Sequence, residues 1–168
     1  MRAVVQRVRS ARVEVEGEVV GAIDRGLLVY VGFGRGDTDA DRAWMLPKLV
    51  GLRIFEDESA ERAQRTQGAT GAKKMALSVV DVGGALLLVS QFTLYADVRG
   101  GRRPSFDGAM PPEEAQRAYA ATVRDARALL SRVETGRFRA EMQVHSVNDG
   151  PVTLVLDSAT RNTSRTDP

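Results

Sequence analysis

Apolar and polar residues alternate along two stretches near the start of the chain. The first runs through Val4, Gln6 and Val8, and the second covers residues 13–19. Alternation with a period of two residues is typical of a strand with one buried face. The Glu-Gly-Glu at residues 16–18 suits a tight turn. We therefore predict two strands joined by that turn.

Two later segments, residues 26–32 and 85–89, are almost wholly apolar. Short continuous apolar runs are typical of strands that are buried on both faces in the middle of a sheet. Residues 77–82, followed by Gly83-Gly84, fit a strand that forms a hairpin with the second of these runs. Residues 53–55 indicate one further short strand.

Two segments carry apolar residues at helical spacing. The Asp-Thr-Asp at residues 37–39 supplies side chains that cap a helix, and an apolar stripe follows over residues 40–52. Pro47 lies within that stripe and removes a backbone donor, so we expect a kink or a break there. The second helix is predicted to begin at the prolines of residues 111–112 and to end at about Arg132.

Several strands and two principal helices in non-alternating order predict an α+β fold. We expect a single domain with a curved or barrel-like, largely antiparallel sheet. A chain of 168 residues can bury a core without a disulfide or a metal. The domain is predicted to span residues 1–157. The polar residues 56–74 are interpreted as a mobile surface loop, and residues 158–168 as a disordered C-terminal tail.

The composition removes several classes of chemistry. Because the chain has no cysteine, disulfides, thiolate catalysis and cysteine-bound zinc are excluded. Its one histidine, His145, lies in a strand pattern and is interpreted as structural, and one imidazole leaves little material for a metal site. We expect no metal and no cofactor. No signal-length apolar run and no run of 18 apolar residues occurs, which predicts a cytoplasmic protein with no membrane partner.

Positive charge is clustered locally, since the formal net charge is only +2. The pairs Arg102-Arg103, Lys73-Lys74 and Arg137/Arg139 could meet phosphate groups, although such pairs are also common on solvated surfaces. The glycines of residues 32–36 lack the spacing and the following Lys-Ser/Thr of a nucleotide-binding loop. We therefore interpret that segment as a flexible turn.

The Asn-Asp-Gly-Pro at residues 148–151 separates two strand-like runs, residues 142–147 and 152–156. Proline cannot donate to a strand ladder and Asn-Asp-Gly favours a turn, so the strand pattern should break there. An ordinary hairpin loop is one interpretation. The other is a rigid gauge of ligand shape, because Gly150 and Pro151 offer only carbonyl oxygens, a bare Cα and a stiff ring.

Six motifs in the chain together resemble those of the D-aminoacyl-tRNA deacylases. They occur in order between Met1 and about Leu156, so the resemblance covers the chain except for the tail. The motifs are Gln6-Arg7-Val8, Gly51-Leu52-Arg53-Ile54-Phe55, Ser90-Gln91-Phe92-Thr93-Leu94, Arg103-Pro104-Ser105-Phe106, Thr135-Gly136-Arg137-Phe138 and Val147-Asn148-Asp149-Gly150-Pro151-Val152-Thr153.

The resemblance implies a homodimer that hydrolyses the ester between a D-amino acid, or glycine, and the terminal ribose of a tRNA. It also implies that the Gly150-Pro151 bond is cis and that this pair projects into the pocket of the other subunit. Main-chain atoms placed there would reject an L-amino acid by overlap with its side chain. Glycine, which has no side chain, would pass.

The resemblance further implies the residues of the site. Ser90 and Gln91 match pocket positions, and the backbone amides of Phe92 and Thr93 match donors to the ester carbonyl, where negative charge develops. Arg7 is similar to the arginine that holds the Gly-Pro loop. Phe138 and Met142 resemble adenine-pocket residues.

The residues do not identify the group that attacks the ester. Thr93 is the natural protein nucleophile, but the sequence offers no base beside it. We therefore favour substrate-assisted hydrolysis, in which the 2′-hydroxyl of the terminal ribose helps to activate water.

Two alternative functions remain. A non-catalytic RNA-binding module would need exposed aromatic residues, whereas aromatics are only 5% of the chain. A paralogous deacylase of other mischarged tRNAs would use a trans Gly-Pro, and the Ser90-Gln91 pair argues against it. The chain departs from the family in two places that bear on local tRNA contacts, a longer connection at residues 56–74 and Ala76 in place of an expected Asn.

Overall fold

The computed structural model describes residues 1–57 and 75–161. The described part contains eight strands, two α-helices and two short 3-10 turns. The strands are β1 (Arg2–Val15), β2 (Glu18–Ile23), β3 (Gly26–Gly32), β4 (Phe55–Glu56), β5 (Met75–Leu77), β6 (Ala85–Ser90), β7 (Val133–Thr135) and β8 (Gln143–Asp157). The helices are α1 (Asp39–Gly51) and α2 (Pro112–Leu129), and the 3-10 turns are Phe92–Tyr95 and Ser158–Thr160.

Six strands form one mixed sheet in the order β2-β1-β3-β6-β7, with β8 on the other edge of β1. The long β1 is antiparallel to β2, β3 and β8, while β6 is parallel to β3 and β7. The sheet curls until its ends approach each other, since a Cβ built on Gly21 of β2 would lie 2.4 Å from the carbonyl oxygen of Thr135 in β7. The predicted α+β domain with a barrel-like sheet is confirmed.

Both faces of the central strands are buried, as their unbroken apolar sequence predicts. Leu86 and Leu88 of β6 pack in the core beneath the two helices, and Leu87 and Val89 pack in a second core on the opposite face. Tyr119 of α2 ties helix to sheet by donating a hydrogen bond of 2.8 Å to the Leu88 carbonyl oxygen. Burial raises the pKa of Tyr119, so its hydroxyl stays protonated and continues to donate.

The two helices lie where the sequence predicts them. At the start of α1, Asp41 Oδ2 accepts hydrogen bonds from the backbone amide and the hydroxyl of Thr38, at 2.8 and 2.9 Å. Helix α1 continues through Pro47 to Gly51, so a break at the proline is excluded. Helix α2 ends at Leu129, three residues before the predicted end.

The predicted hairpin between residues 77–82 and the buried run is wrong. Strand β5 ends at Leu77 and the chain then turns, because Asp81 Oδ2 accepts hydrogen bonds of 2.8 and 2.7 Å from the amide and hydroxyl of Ser78. β6 pairs with β3 and β7 instead, and β5 pairs with β4. The Ser-x-x-Asp at residues 78–81 explains the difference, because side-chain hydrogen bonds to the local backbone compete with strand pairing.

Two further expectations are corrected at the C-terminal end. Residues 148–151 do not reverse the chain, since β8 pairs with β1 on both sides of them. The predicted tail begins with ordered residues, because Ser158 is buried and its hydroxyl accepts a hydrogen bond from the Met1 ammonium. The rest of that tail, residues 162–168, and residues 58–74 of the predicted loop lie outside the described residues. Within the described ranges, neither helix has the length and apolar character to cross a membrane.

Candidate functional site

A cavity of about 750 Å³ lies where β3 and β6 end. Val31 and Gly32 of β3 and Val89 and Ser90 of β6 form its floor, because the two parallel strands end at the same edge of the sheet. A volume of this size lies within the range of roughly 300–1,000 Å³ that is usual for small-molecule sites. Ser90 and Gln91, the two residues that directly follow the apolar run of residues 85–89, are part of the cavity lining.

The 3-10 turn Phe92–Tyr95 presents backbone donors beside this cavity. The Gln91 amide donates to the Val31 carbonyl oxygen at 2.8 Å and anchors the turn to β3. The backbone N–H groups of Phe92 and Thr93 make no hydrogen bond to any residue in the described ranges. The first N–H groups of a helical turn have no partner within the turn, so they remain available to an acceptor.

Thr93 lies outside the cavity lining, and its hydroxyl accepts a hydrogen bond from the side-chain amide of Gln91. Among the described residues, no carboxylate or imidazole is hydrogen-bonded to that hydroxyl. His145 pairs instead with Glu14 on the exposed side of β8, with 3.4 Å between Nε2 and the carboxylate oxygen. The part of the chain that the structure describes therefore shows no base bonded to the Thr93 hydroxyl.

Aromatic and apolar side chains make up much of the cavity lining. Phe92 is 59% exposed and meets Phe106 edge to face, with 5.0 Å between ring centroids. Phe138 packs against Tyr119 with 5.8 Å between ring centroids, and both Phe138 and Met142 line the cavity. A flat base could pack against such a wall. Phe106 also lines the cavity, a role that its motif at residues 103–106 did not predict.

Residues 149–152 form a bulge in β8. Gln6 of β1 pairs with Thr153 and Val8 pairs with Asn148, so two steps along β1 correspond to five along β8. Asn148 closes the bulge, since its Oδ1 accepts from the Val152 amide at 3.0 Å and its Nδ2 donates to Thr153 Oγ1 at 2.9 Å. Gly150 and Pro151 are exposed at the tip and their peptide bond is cis.

Arg7 lies opposite the bulge, on β1, and hydrogen-bonds to it. Its side chain is buried, and it donates to the carbonyl oxygens of Asp149 at 3.0 Å and Ile54 at 2.5 Å. The carboxylates of Asp149 and Glu56 lie 3.5 and 3.7 Å from the guanidinium. Gly150 has a φ of +131°, and a Cβ there would lie 3.0 Å from Arg7 Nη2, so glycine is required. The predicted contact between Arg7 and the loop is present.

The pKa of Asp149 lies below its usual value, so its carboxylate stays ionised to a lower pH. A hydrogen bond from Arg9 lowers the pKa of Asp149, partial burial opposes that shift, and the charge of Arg7 lowers it further. A depressed folded-state pKa contributes stability that is present above the unfolded-state pKa and is lost as pH falls through the folded value. Asp149→Asn should therefore cost stability at neutral pH, and the cost should shrink below about pH 4.

Urea unfolding of the wild type and Asp149→Asn between pH 7 and pH 3 measures this difference. A difference that is unchanged at pH 3 would show that the charge of Asp149 is not the source of the effect.

The predicted site residues form two separate groups within one chain. Ser90, Gln91, Phe92, Phe138 and Met142 line the cavity. Gly150 and Pro151 lie in the bulge, Arg7 bonds to it from β1, and none of the three lines the cavity. Asn148, which closes the bulge, had no predicted role, although an Asn two residues before a Gly-Pro pair is a signal that could have revealed it. In residues 1–57 and 75–161, no three His, Asp or Glu side chains group in a way that could hold a metal.

Comparison with known proteins identifies the family. The model of the family described as D-Tyr-tRNA(Tyr) deacylase matches residues 4–157. D-aminoacyl-tRNA deacylases from Desulfitobacterium hafniense and Thermotoga petrophila are 56% and 54% identical over 94% and 95% of this chain, and over 97% and 98% of their own.

Two solved structures share the fold. The c-Myc DNA unwinding element binding protein superposes with a TM-score of 0.82 at 41% identity, covering 94% of this chain and 98% of that one. A probable eukaryotic D-amino acid tRNA deacylase gives 0.74 at 19% identity, covering 92% and 97%, which shows the fold alone. The resemblance inferred from six motifs is confirmed, and the chain belongs to the D-Tyr-tRNA(Tyr) deacylase family.

Proposed function

We propose that this protein hydrolyses the ester bond of D-aminoacyl-tRNA to give a free D-amino acid and tRNA. The observation that carries the proposal is the cavity at the ends of β3 and β6, with the free backbone donors of Phe92 and Thr93 beside it. Family membership gives these donors a substrate, the ester that joins an amino acid to the terminal adenosine of a tRNA. The adenine would pack against Phe138 and Met142.

The two backbone donors suit the chemistry of ester hydrolysis. When water attacks the ester carbonyl, negative charge develops on its oxygen, and fixed N–H groups stabilise that charge without having to reorganise. Gln91 sets their position through its bond to Val31. Ser90 and Gln91 also place polar side chains at the cavity, where they can orient the amino acid.

Chiral selection in this proposal comes from a second copy of the chain. Gly150 and Pro151 lie outside the cavity of their own chain but are exposed, so a partner subunit could receive them. β8 pairs with β1 alone in the described sheet, and it exposes Val147 by 53% and Val155 by 76%. An open strand edge with exposed apolar residues suits association between copies. Main-chain carbonyls of the inserted pair would exclude L side chains and admit glycine, so glycyl-tRNA would also be cleaved.

The missing base at Thr93 supports substrate assistance. We expect Thr93→Ala to retain kcat within about tenfold, because no described carboxylate or imidazole is bonded to the hydroxyl and the proposal assigns water activation to the ribose 2′-hydroxyl. Single-turnover hydrolysis of D-tyrosyl-tRNA measures this, with binding of uncleaved substrate as the control. Loss of turnover with intact binding would make Thr93 the nucleophile and end the substrate-assisted mechanism.

A substrate with a 2′-deoxy terminal adenosine should be cleaved poorly by the wild type.

The central test compares matched D-tyrosyl-tRNA and L-tyrosyl-tRNA. We expect rapid loss of the D ester and near-complete survival of the L ester, with no metal or cofactor added. Equal rates for the two esters would remove chiral selection, and the absence of hydrolysis would remove the enzymatic proposal.

Aminoacyl-tRNAs are made and used in the cytoplasm, so we propose that location.

Two alternatives are separated by the same assay. The similar protein named for binding a DNA unwinding element favours a non-catalytic nucleic-acid-binding module. That function predicts binding of uncharged RNA or DNA with no ester loss. A paralogous deacylase would instead cleave mischarged L-aminoacyl-tRNAs and spare the D ester.

A further inference from the structure

A second groove adjoins the cavity. It has a volume of about 570 Å³ and lies between the turn that joins β1 to β2, at residues 14–17, and the segment that leads into β8, at residues 137–143. Three residues line both spaces: Phe138, Arg139 and Ala140. The groove therefore begins at the wall against which the adenine of the proposed substrate would pack.

Five polar side chains of the groove have no partner among the described residues. Arg137, Arg139, Glu16, Glu141 and Gln143 make no side-chain hydrogen bond or ion pair with any residue of the described ranges. Glu14, which also lines the groove, differs, since it accepts from Arg12 at 2.7 Å and lies 3.4 Å from His145. Two guanidiniums, two carboxylates and an amide are thus free to meet a ligand that carries both an anion and hydrogen-bonding edges.

A cytidine nucleotide has these features. Arginine binds phosphate through paired N–H donors. Carboxylates accept from the exocyclic N4 amine of cytosine, and a glutamine amide can meet its O2 and N3 acceptors. The nucleotide that precedes the terminal adenosine of every tRNA is a cytidine, and the phosphate between them leaves the adenosine where the two spaces join.

From this arrangement we infer that the groove is a second nucleotide subsite, which receives the penultimate cytidine of the tRNA acceptor end. Arg137 meets the phosphate, and Glu16 and Glu141 accept from cytosine N4. The inference rests on the proposed function and extends it, because it makes the enzyme a reader of two nucleotides in place of one. It also accounts for Arg137 within the motif at residues 135–138, which the cavity alone does not use.

The first experiment compares three small esters on the wild type: D-tyrosyl-adenosine, D-tyrosyl cytidylyl-adenosine and D-tyrosyl uridylyl-adenosine. We expect the cytidylyl substrate to have a kcat/KM about tenfold or more above that of the single nucleoside. Uridine places a carbonyl oxygen where cytosine has its amine, so most of this gain should be lost with the uridylyl substrate. Equal kcat/KM values for all three substrates would overturn the subsite.

Variants then assign the contacts. Arg137→Ala should lower the ratio of the cytidylyl to the adenosine kcat/KM about tenfold. The Glu16→Gln/Glu141→Gln double variant should remove the preference for cytidine over uridine. Arg127→Ala, an exposed arginine on α2 away from both spaces, is the matched control and should leave every ratio unchanged.

The outcomes separate the two proposals. If the wild type cleaves none of the esters and no D-aminoacyl-tRNA, the proposed function fails. If it cleaves them but Arg137→Ala slows all three substrates equally, or the double variant keeps the preference for cytidine, the subsite fails while the deacylase function stands.

Discussion

Arg7→Ala is expected to destabilise the protein by about 3 kcal/mol and to lower kcat/KM for D-tyrosyl-tRNA about a hundredfold. The Arg7 side chain is 5% exposed, and its guanidinium donates to two main-chain carbonyls, those of Asp149 and Ile54. Alanine would leave both carbonyls without this donor and the nearby carboxylates of Asp149 and Glu56 without this buried positive charge. The bulge that carries Gly150 and Pro151 would lose the side chain that fixes it.

Arg9→Ala provides the matched control for this change. Arg9 also bonds to Asp149, at 3.0 Å, but its side chain is 76% exposed. Exposed ion pairs contribute at most about 1 kcal/mol, so stability and activity should change little. Urea unfolding and initial-rate measurements compare the two variants. If Arg7→Ala were no more destabilising than Arg9→Ala, the support of the bulge would not depend on the buried guanidinium.

Gly32→Ala is expected to reduce kcat about a hundredfold while the protein stays folded. A Cβ at Gly32 would lie 2.7 Å from the Gln91 carbonyl oxygen and 3.1 Å from Leu94 Cβ. Main-chain atoms must shift to relieve such an overlap, and the atoms concerned belong to the turn that presents the amides of Phe92 and Thr93. Overpacking of this kind costs about 1–3 kcal/mol in stability. A shift of the Phe92 and Thr93 amides away from the developing oxyanion also removes stabilisation of the transition state. We therefore expect a larger effect on kcat than on stability.

Gly36→Ala is the corresponding control, because nothing lies within 4 Å of a Cβ built there. Thermal unfolding and single-turnover rates of the two variants separate the effect on the fold from the effect on the site. We expect Gly36→Ala to behave as the wild type in both. A normal rate in Gly32→Ala would show that the position of the Phe92–Tyr95 turn does not control hydrolysis.

Several parts of the site could be predicted because they are local in the sequence. Ser90 and Gln91 follow an apolar run directly, and the motif at residues 90–94 marked them as pocket positions before any fold was known. The Gly-Pro pair could be recognised as an interruption of a strand pattern. Its shape was not predicted, because a bulge and a hairpin have the same local composition and differ only in where the next strand pairs.

The groove beside the cavity illustrates the limit of local signals. Residues 14–17 and 137–143 lie far apart in the chain, and each contains ordinary surface charges. Only the antiparallel pairing of β1 with β8, in which Glu14 lies opposite Gln143, brings them together. No pattern within either segment could reveal that they share a ligand-sized space.

The sequence by itself determined the buried central strands, the two helices, the absence of cysteine chemistry and the family, because each depends on residue type and on short-range spacing. The tertiary structure decided the parallel pairing of β6, the curl that brings β2 to β7, and the separation of Arg7, Gly150 and Pro151 from the cavity. These features depend on contacts between residues distant in sequence. Their free energy comes from burying apolar faces together and from satisfying main-chain groups, and several pairings of the same strands satisfy the local pattern equally well.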